Sequence, residues 1–359
     1  MADDQPAEDS KRVARKITVL VVDDSSFMRR ALQRRIEGDP RFVVVGTAAD
    51  GDEGIEKTLA LRPDVVTLDV QMPGRDGIST LKEIVAKSQS RVVMLSAVTA
   101  DGAQITLDAL ELGAVDFIPK SQAAEQIHEK LLAAAGAFWP TRRRQTRAGP
   151  PALAVPNSTA ATPMALRLAI LGSSTGGPRA LQDVLARLPE QFKVPIVVAQ
   201  HMPPSFTAAL AARLDEVCRA RVVEARDGDI LEPGTVYIAP GGFQTRVTAD
   251  RIKVSDETGG NLYRPSVNVL AASALDTFGG KVLGIMLTGM GNDGAQEFIR
   301  LRQAGAHIIS QHRESCVVSG MPRAVIDAGA ANEILPLDRI GLRLCELIVS
   351  PTRGATAQT

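Results

Sequence analysis

Five short apolar segments near the start of the chain constrain the fold more than any other feature of the sequence. They alternate with segments of helical pattern, and they are ITVLVV (17–22), FVVVGTA (42–48), DVVTLD (64–69), RVVML (91–95) and VDFIP (115–119). Near-continuous apolar strands separated by helices favour a parallel sheet that is covered by helices on both faces. We therefore predict an N-terminal α/β domain with a doubly wound, five-stranded parallel sheet.

Polar residues stand at the carboxyl ends of these predicted strands, where functional groups of such sheets collect. Asp23 and Asp24 end the first strand, Asp69 the third, Ser96 the fourth and Lys120 the fifth. Three carboxylates brought to one edge repel each other unless a hard cation neutralises them, and oxygen ligands of this kind suit Mg²⁺. The lysine beside them, Lys120, would balance the negative charge of a phosphoryl group.

In the second half of the chain, a serine loop joins a buried strand to a helix. The segment RLAILGSSTGGP (167–178) begins with an apolar run over 168–171 that predicts a strand, and its remaining residues form the loop. RALQDVLARL (179–188) predicts a helix with one apolar face. Gly172, Ser174 and Gly176 match G-x-S-x-G, the turn that exposes a nucleophilic serine in many hydrolases. A glycine-serine loop before a helix is as often a phosphate-binding loop or a simple turn, so this match leaves the alternatives open.

Two later loops supply the residue types that a nucleophilic serine requires. KVPIVVAQHMPPSF (193–206) predicts a strand that ends at Gln200, His201 and Met202, because the following prolines prevent its continuation. The run 279–311 predicts a strand, loop, helix and strand, with Asp293 in the loop GMGNDG. A serine needs a base to take its proton, and an imidazole needs an acid to orient it. Asp293 also fits an N-cap for a helix over 295–303.

The same loop supports a rival interpretation. Gly289, Gly291 and Gly294 spell G-x-G-x-x-G between a strand and a helix, and Glu314 follows about twenty residues later, as in a dinucleotide-binding site. The carboxylate of Asp293 would oppose a pyrophosphate at that helix N-terminus. From the residues alone, hydrolase and nucleotide-binding functions are comparably supported.

Length and composition limit the other functional classes. The 359 residues suggest about two domains, and the segment TRRRQTRAGPPALAVPNSTAATP (141–163) has the composition of a linker. We assign 16–139 and 165–351 to domains and 140–164 to the linker. With 41 basic and 41 acidic residues, the chain has no net charge to attract nucleic acid or an anionic membrane.

Three scattered cysteines favour a reducing compartment, and no apolar run reaches the length of a membrane span. We also find no secretory signal at the N-terminus. We therefore expect a cytoplasmic protein without membrane insertion, and a monomer, since nothing in the sequence demands a larger assembly.

Residues 16 to about 125 closely resemble response-regulator receiver domains, which have a flavodoxin-like fold. The resemblance rests on Asp23 and Asp24, on LDVQMPGRDG, on MLSA and on VDFIPK. It implies phosphorylation of Asp69 with Mg²⁺ held by Asp23, Asp24 and Asp69. It also implies that Ser96 and Phe117 change position when Asp69 is phosphorylated, and that Lys120 contacts the phosphoryl group. Ser121 departs from the family, which usually has proline after this lysine.

The second half resembles the catalytic domain of chemotaxis protein-glutamate methylesterases, called CheB. The similar segments are GSSTGGP, VVAQHMPPSF, VYIAPGG, RPSVNVL, LTGMGNDGA, RQAGA and SCVVSGMPRAV. The resemblance implies an α/β domain with a mostly parallel sheet, in which Ser174 is the nucleophile, His201 the base and Asp293 the acid that orients it. It also implies an oxyanion hole of backbone N–H groups near Met290, with Thr175 close by. Ser173 stands where the family commonly has alanine.

Together the two resemblances imply a phosphorylation-activated esterase of bacterial chemotaxis adaptation. Its substrates would be γ-glutamyl methyl esters, and glutamines for deamidation, on the cytoplasmic regions of chemoreceptors. Its phosphodonor would be a histidine kinase of the CheA type, and the esterase domain would need no cofactor. Two other classes stay open: an adaptor that binds receptors without hydrolysis, and a dinucleotide-dependent enzyme. DNA binding is disfavoured by the zero net charge and by the absence of a helix-turn-helix pattern.

Overall fold

The N-terminal domain alternates strands and helices in the predicted order. A computed structural model describes residues 15–97, 99–137, 166–257, 260 and 262–349. The strands are β1 (Ile17–Val22), β2 (Phe42–Ala48), β3 (Val65–Asp69), β4 (Arg91–Ser96) and β5 (Asp116–Pro119). The helices are α1 (Ser26–Glu37), α2 (Gly51–Leu61), α3 (Gly77–Lys87), α4 (Ala100–Leu112) and α5 (Ala123–Ala135), with a 3₁₀ turn at Lys120–Gln122.

The five strands form one parallel sheet in the order β2-β1-β3-β4-β5. Alternate residues of a strand point to opposite faces, so Val19 and Val21 pack with α1 and α5 while Leu20 and Val22 pack with α2, α3 and α4. Burial on both faces explains why the strands read as continuous apolar runs. The predicted doubly wound, five-stranded sheet is confirmed.

The C-terminal domain contains a larger sheet. Its strands are β6 (Leu168–Ser173), β7 (Ile196–Gln200), β8 (Arg221–Glu224), β9 (Thr235–Ile238), β10 (Gln244–Val247), β11 (Ile252–Ser255), β12 (Val282–Met286), β13 (His307–Gln311) and β14 (Glu333–Leu335). Its helices are α6 (Gly177–Leu185), α7 (Pro204–Val217), α8 (Val267–Phe278), α9 (Ala295–Gln303), α10 (Gly320–Asp327) and α11 (Leu337–Ile348), with a 3₁₀ turn at Arg313–Ser315.

Seven of these strands pair in parallel in the order β14-β13-β12-β6-β7-β9-β8, while β10 and β11 form a separate antiparallel hairpin. Helices α6, α7 and α11 cover one face of the large sheet, and α8, α9 and α10 cover the other. The predicted α/β domain with a mostly parallel sheet is thereby confirmed.

The helix predicted over 179–188 is α6, which begins and ends earlier than predicted, at Gly177 and Leu185. Leu188 is buried as expected, but it precedes Pro189, and the residue before a proline is pushed out of helical geometry. The domain limits 16–139 and 165–351 stay predictions, and the predicted linker 140–164 lies outside the described residues.

The two domains share a continuous apolar core. One cluster of buried side chains includes Leu107 and Leu110 of α4 and also Phe206, Leu210 and Leu214 of α7. The two helices are in contact along this cluster. The N-terminal domain therefore packs on the α6–α7 side of the large sheet, next to the loop that leaves β6.

Candidate active site

Three adjacent parallel strands bring the predicted Ser174, His201 and Asp293 to one edge of the large sheet. β6 lies between β12 and β7, and these residues follow the carboxyl ends of β6, β7 and β12. The Ser174 N–H donates to the Thr288 carbonyl at 3.0 Å, and the His201 N–H donates to the Ser173 carbonyl at 3.0 Å. The three loops therefore leave the sheet at the same level.

Glycine gives the serine loop its shape. Gly176 has φ +76°, a left-handed conformation that costs glycine nothing, and it begins α6. At Gly177 a Cβ would lie 1.9 Å from Oε1 of Gln200, so only glycine allows this close approach. The strand can thus turn sharply into α6 and leave Ser174 at the sheet edge.

His201 and Asp293 form a buried pair. His201 Nε2 lies 2.8 Å from Asp293 Oδ2, and the two side chains are 8% and 4% exposed. Burial acts to raise the pKa of the Asp293 carboxyl. Hydrogen bonds from His201 and from the backbone outweigh this effect and lower the pKa below its usual value. Asp293 therefore stays ionised where histidine titrates, and an ionised partner on Nε2 fixes the orientation of the imidazole.

The other imidazole nitrogen is available for proton transfer. Nδ1 of His201 is buried and has no hydrogen-bond partner among the described residues. With Nε2 donating to Asp293, Nδ1 is the unprotonated nitrogen of the neutral ring. The two nitrogens therefore have the opposite roles to those in the usual triad, in which the acid contacts Nδ1 and the serine faces Nε2.

Asp293 also binds the start of a helix, though not the one expected. Its carboxylate accepts hydrogen bonds from Ser266 Oγ at 2.9 Å, from the Val267 N–H at 2.6 Å and from the Asn268 N–H at 3.1 Å, at the N-terminus of α8. The N-cap of α9 is Gly294 instead. The N-cap role for the helix over 295–303 was therefore wrong, because the chain turns Asp293 away from α9.

Ser174 lies beside this pair but is not bonded to it. Within the described part of the chain, no hydrogen bond joins Ser174 Oγ to His201, and such bonds are often long in free enzymes. A Cβ on Gly289 would lie 2.9 Å from Ser174 Cβ, so the loop carrying Met290 touches the serine. Thr288 Oγ1 donates to the Thr175 carbonyl at 3.0 Å. Thr175 and the loop that carries Met290 are thus next to Ser174.

Ser173 and Ser174 have different environments. Ser173 is fully buried, and its hydroxyl donates to Oε1 of Gln200 at 2.6 Å. Gln200 Nε2 donates to the carbonyls of Ser174 at 3.0 Å and His201 at 3.1 Å. Sequence reasoning placed Gln200 only at a strand end and missed this role. Its position directly before His201 was the available signal.

We expect Gln200→Leu to lower the free energy of unfolding by about 1–3 kcal/mol, because it leaves the buried Ser173 hydroxyl and the His201 carbonyl without partners. Urea unfolding followed by circular dichroism measures this difference. Gln303→Leu, on the exposed side of α9, is the matched control and should change the free energy by less than about 0.5 kcal/mol. Equal stability of both variants would show that Gln200 does not hold the two loops together.

A tyrosine that sequence reasoning missed covers the histidine. The ring of Tyr263 stacks on the His201 imidazole, with 4.1 Å between the ring centroids and 5° between the planes. No motif marked this residue, because it lies in an irregular segment before α8 and reaches the site only through the tertiary fold.

In the N-terminal domain, the predicted acidic cluster is assembled. Oxygen atoms of Asp23, Asp24 and Asp69 lie within 4.8 Å of one another. Lys120 Nζ lies 2.7 Å from Asp69 Oδ2 and 3.1 Å from Asp23 Oδ2, although Ser121 follows it. Burial raises the pKa of the Asp69 carboxyl, and the charge of Asp23 adds to the effect, while Lys120 opposes it.

The contacts of Ser96 and Phe117 are with α4 and α7 rather than with this acidic cluster. Ser96 Oγ accepts a hydrogen bond from Thr106 Oγ1 at 2.8 Å and contacts the Gly102 carbonyl at 3.3 Å, both on α4. Phe117 stacks on Phe206 of α7, with 4.4 Å between the ring centroids. Both side chains are therefore engaged with α4 or with the C-terminal domain.

Polar contacts between the domains lie close to the catalytic edge. Thr175 Oγ1 donates to Asp116, which is also paired with Lys130 at 2.7 Å. Arg213 of α7 binds Asp108 and Glu111 of α4, with 2.8 Å between its Nε and Glu111 Oε1. The N-terminal domain is therefore bonded to the residue that follows Ser174.

The glycine-rich loop that suggested a dinucleotide site is engaged elsewhere. Asp293, inside that loop, binds His201 and the start of α8, so the loop is held by contacts with two other elements of the domain. Glu314 is exposed in the 3₁₀ turn after β13. The geometry favours the hydrolase interpretation of the loop.

Comparisons with known proteins identify a known family for each of the two domains. The family model of the CheB methylesterase matches residues 169–344, and that of the response regulator receiver domain matches residues 19–132. None of the helices in the described part of the chain has the length and hydropathy of a membrane span. A crystal structure of the Thermotoga maritima CheB methylesterase catalytic domain is 40% identical, covers 51% of this chain and 98% of its own, and has a TM-score of 0.49.

Curated relatives match nearly the whole chain. A protein-glutamate methylesterase/protein-glutamine glutaminase of Vibrio parahaemolyticus is 42% identical over 91% of this chain and 98% of its own length. One of the same name from Symbiobacterium thermophilum is 44% identical over 92% of this chain and 97% of its own length. A match of this extent and identity places the chain in the protein-glutamate methylesterase/protein-glutamine glutaminase family, with its receiver domain and its CheB methylesterase domain.

Proposed function

We propose that the chain hydrolyses γ-glutamyl methyl esters and deamidates glutamines on the cytoplasmic regions of chemoreceptors, and that phosphorylation of its receiver domain activates it. The buried His201–Asp293 pair beside Ser174 is the observation that carries the catalytic part of this proposal. The chain's membership of the family supplies the substrate class. The setting is bacterial chemotaxis adaptation in the cytoplasm.

The proposed mechanism is acyl transfer to serine. Nδ1 of His201, which is buried and has no partner in the described part of the chain, takes the proton of the Ser174 hydroxyl, and Ser174 attacks the ester carbonyl. Backbone N–H groups near Met290, with Thr175 beside them, stabilise the oxyanion. As the intermediate collapses, His201 gives its proton to the leaving methoxide oxygen, or to the leaving amide nitrogen of a glutamine, so that methanol or ammonia departs. Water releases the glutamate by the same steps, and no cofactor takes part in them.

The receiver domain fits a phosphorylation site that uses Mg²⁺. The Oδ2 atom of Asp23 is buried and lies 3.1 Å from Lys120 Nζ, and three carboxylates supply the oxygen ligands that Mg²⁺ prefers. Asp23, Asp24 and Asp69 would hold the ion, which would offset the negative charge of the incoming phosphoryl group. Asp69 accepts that group, and Lys120 binds one of its oxygens. A histidine kinase of the CheA type is the proposed phosphodonor.

The packing of the domains supports inhibition by the unphosphorylated receiver. Ser174 is only 8% exposed in the full chain, and Thr175 beside it is bonded to Asp116. A receptor helix must displace the receiver to reach this site. Phosphorylation would draw Ser96 toward Asp69 and away from α4, and would reorient Phe117 away from Phe206. The first change would loosen α4, which packs on α7, and the second would remove the contact of Phe117 with α7. Both would weaken the packing of the receiver on the C-terminal domain and open the site in a monomer.

The test of the substrate assignment uses methylated cytoplasmic fragments of a chemoreceptor. With a small phosphodonor and Mg²⁺, we expect methanol release from methylated fragments and ammonia release from fragments that carry glutamine at the same positions. Fragments with glutamate there are the control and should release neither product. Absence of both products from fragments shown to be methylated or amidated would contradict the proposed function.

We expect Arg213→Ala to raise methanol release in the absence of a phosphodonor by up to about fivefold. The substitution removes the ion pairs to Asp108 and Glu111 that hold α7 on α4, and partly exposed pairs contribute about 1 kcal/mol or less. Arg221→Ala is the matched control, because Arg221 pairs with Glu232 inside the C-terminal domain. A rate for Arg213→Ala that stays at or below that of Arg221→Ala would contradict the inhibitory role of the contact.

A further inference from the structure

The imidazole of His201 is held on two sides. Asp293 contacts its edge at Nε2, and the ring of Tyr263 lies flat against its face at 4.1 Å. An edge contact alone leaves the imidazole free to tilt about the axis of its hydrogen bond. A parallel ring against the face removes this freedom, so the direction of Nδ1 is fixed by the two contacts together.

The segment that carries Tyr263 is itself fixed. Gln244 is buried, its Nε2 donates to the Tyr263 carbonyl at 2.9 Å, and its Oε1 accepts from the Ser266 N–H at 3.0 Å. Ser266 begins α8 and binds Asp293. The acid and the stacked ring are therefore positioned by one continuous stretch of backbone, which keeps the two contacts to His201 in register.

Tyr263 also reaches the loop proposed to bind the oxyanion. A Cβ on Gly291 would lie 3.0 Å from the Tyr263 hydroxyl, so the tip of the ring lies against the residue that follows Met290. Burial raises the pKa of the Tyr263 phenol, and the charges of Glu129 and Asp293 add to this. The phenol is therefore neutral at physiological pH, and its ring presents an uncharged π face to the histidine.

We propose that Tyr263 is a positioning residue for His201, which it stacks against both to aim Nδ1 at Ser174 and to stabilise the imidazolium formed during proton transfer. This role rests on the proposed triad mechanism. A ring face attracts a cation that lies over it, and the attraction strengthens when the pair is withdrawn from water. The stabilisation therefore develops as His201 gains its charge, which is the condition for an effect on kcat.

The orientation of the His201 imidazole provides a readout that does not require substrate. Asp293 contacts the imidazole from the loop after β12, and Tyr263 contacts it from the segment before α8. Removing the Tyr263 ring while Asp293 stays in place leaves the imidazole held by its edge alone. We expect the NMR signals of the imidazole to broaden in such a variant, because the imidazole can then tilt about its hydrogen bond to Asp293.

The experiment compares Tyr263→Phe with Tyr263→Leu and Tyr263→Gln in the full chain. Tyr263→Phe keeps the ring, and we expect its kcat to stay within about threefold of the wild type. The other two variants lose the π face, and we expect kcat to fall about tenfold or more with KM within about twofold. In the same proteins, the NMR signals of the His201 imidazole should broaden in the Leu and Gln variants alone.

Two results would overturn the proposal. One is an unchanged kcat together with unchanged imidazole signals of His201 in both variants that lack the ring. The other is an equal loss of kcat in Tyr263→Phe, which would assign the effect to the hydroxyl contact with Gly291. The NMR measurement needs no receptor fragment, so it decides the stacking role even where the wild type releases no methanol, a result that would contradict the proposed function instead.

Discussion

Ser174→Ala is expected to lower kcat for methanol release by at least about 10⁴-fold, because no other group in the proposed mechanism can form the acyl intermediate. The measurement is methanol release from methylated receptor fragments with phosphodonor and Mg²⁺ present. His201→Ala is expected to be nearly as damaging, since the serine hydroxyl is a weak nucleophile without its base.

The neighbouring hydroxyl provides the matched control. Ser173→Ala removes a buried hydroxyl that donates a hydrogen bond to Gln200. Because only this hydrogen bond is lost, we expect kcat to stay within about tenfold of the wild type. An equal loss of activity in the two alanine variants would mean that Ser174 is not the nucleophile and that both serines only maintain the loop.

Asp293→Asn is the second substitution with a large expected effect. We expect kcat to fall by about 10³–10⁴, as occurs when the acid of a serine protease triad is replaced. The amide has no negative charge to stabilise the imidazolium, and it can present an N–H to Nε2, which would favour the wrong tautomer. The measurement is kcat with phosphodonor at saturating methylated fragment.

Its control separates catalysis from helix capping, since Asp293 also binds the start of α8. Ser266→Ala removes one donor to the carboxylate and leaves the contact with His201, so we expect a loss of about 1 kcal/mol or more in stability with kcat within about tenfold of the wild type. A loss of kcat in Asp293→Asn no larger than that in Ser266→Ala would show that the aspartate only supports the helix.

The sheets and the strand-end residues could be predicted because they follow from local patterns. Continuous apolar runs mark strands that are buried on both faces, and parallel strands bring their carboxyl ends to one edge. Ser174, His201 and Asp293 each follow such a run, and the order β12-β6-β7 makes them neighbours. The same reasoning located the acidic cluster and Lys120, although their chemical roles stay predictions.

Other features of the site depend on tertiary packing and leave no local signal. Tyr263 lies in irregular backbone that is fixed by Gln244 on a separate hairpin, so its approach to His201 depends on how that hairpin packs. The capping of α8 by Asp293 joins residues about 26 positions apart in the chain. The bond between Thr175 and Asp116 depends on the docking of two domains, which periodicity within either domain cannot predict.

The central claim is that phosphorylation of the receiver controls a serine esterase in the same chain. The most direct test follows methanol release from methylated receptor fragments by the full chain, before and after addition of a small phosphodonor with Mg²⁺, in the wild type and in Asp69→Asn. We expect the rate to rise on addition in the wild type and to stay at its basal value in Asp69→Asn. An equal rise in both proteins, or no rise in the wild type while Asp69 is shown to be phosphorylated, would contradict the account.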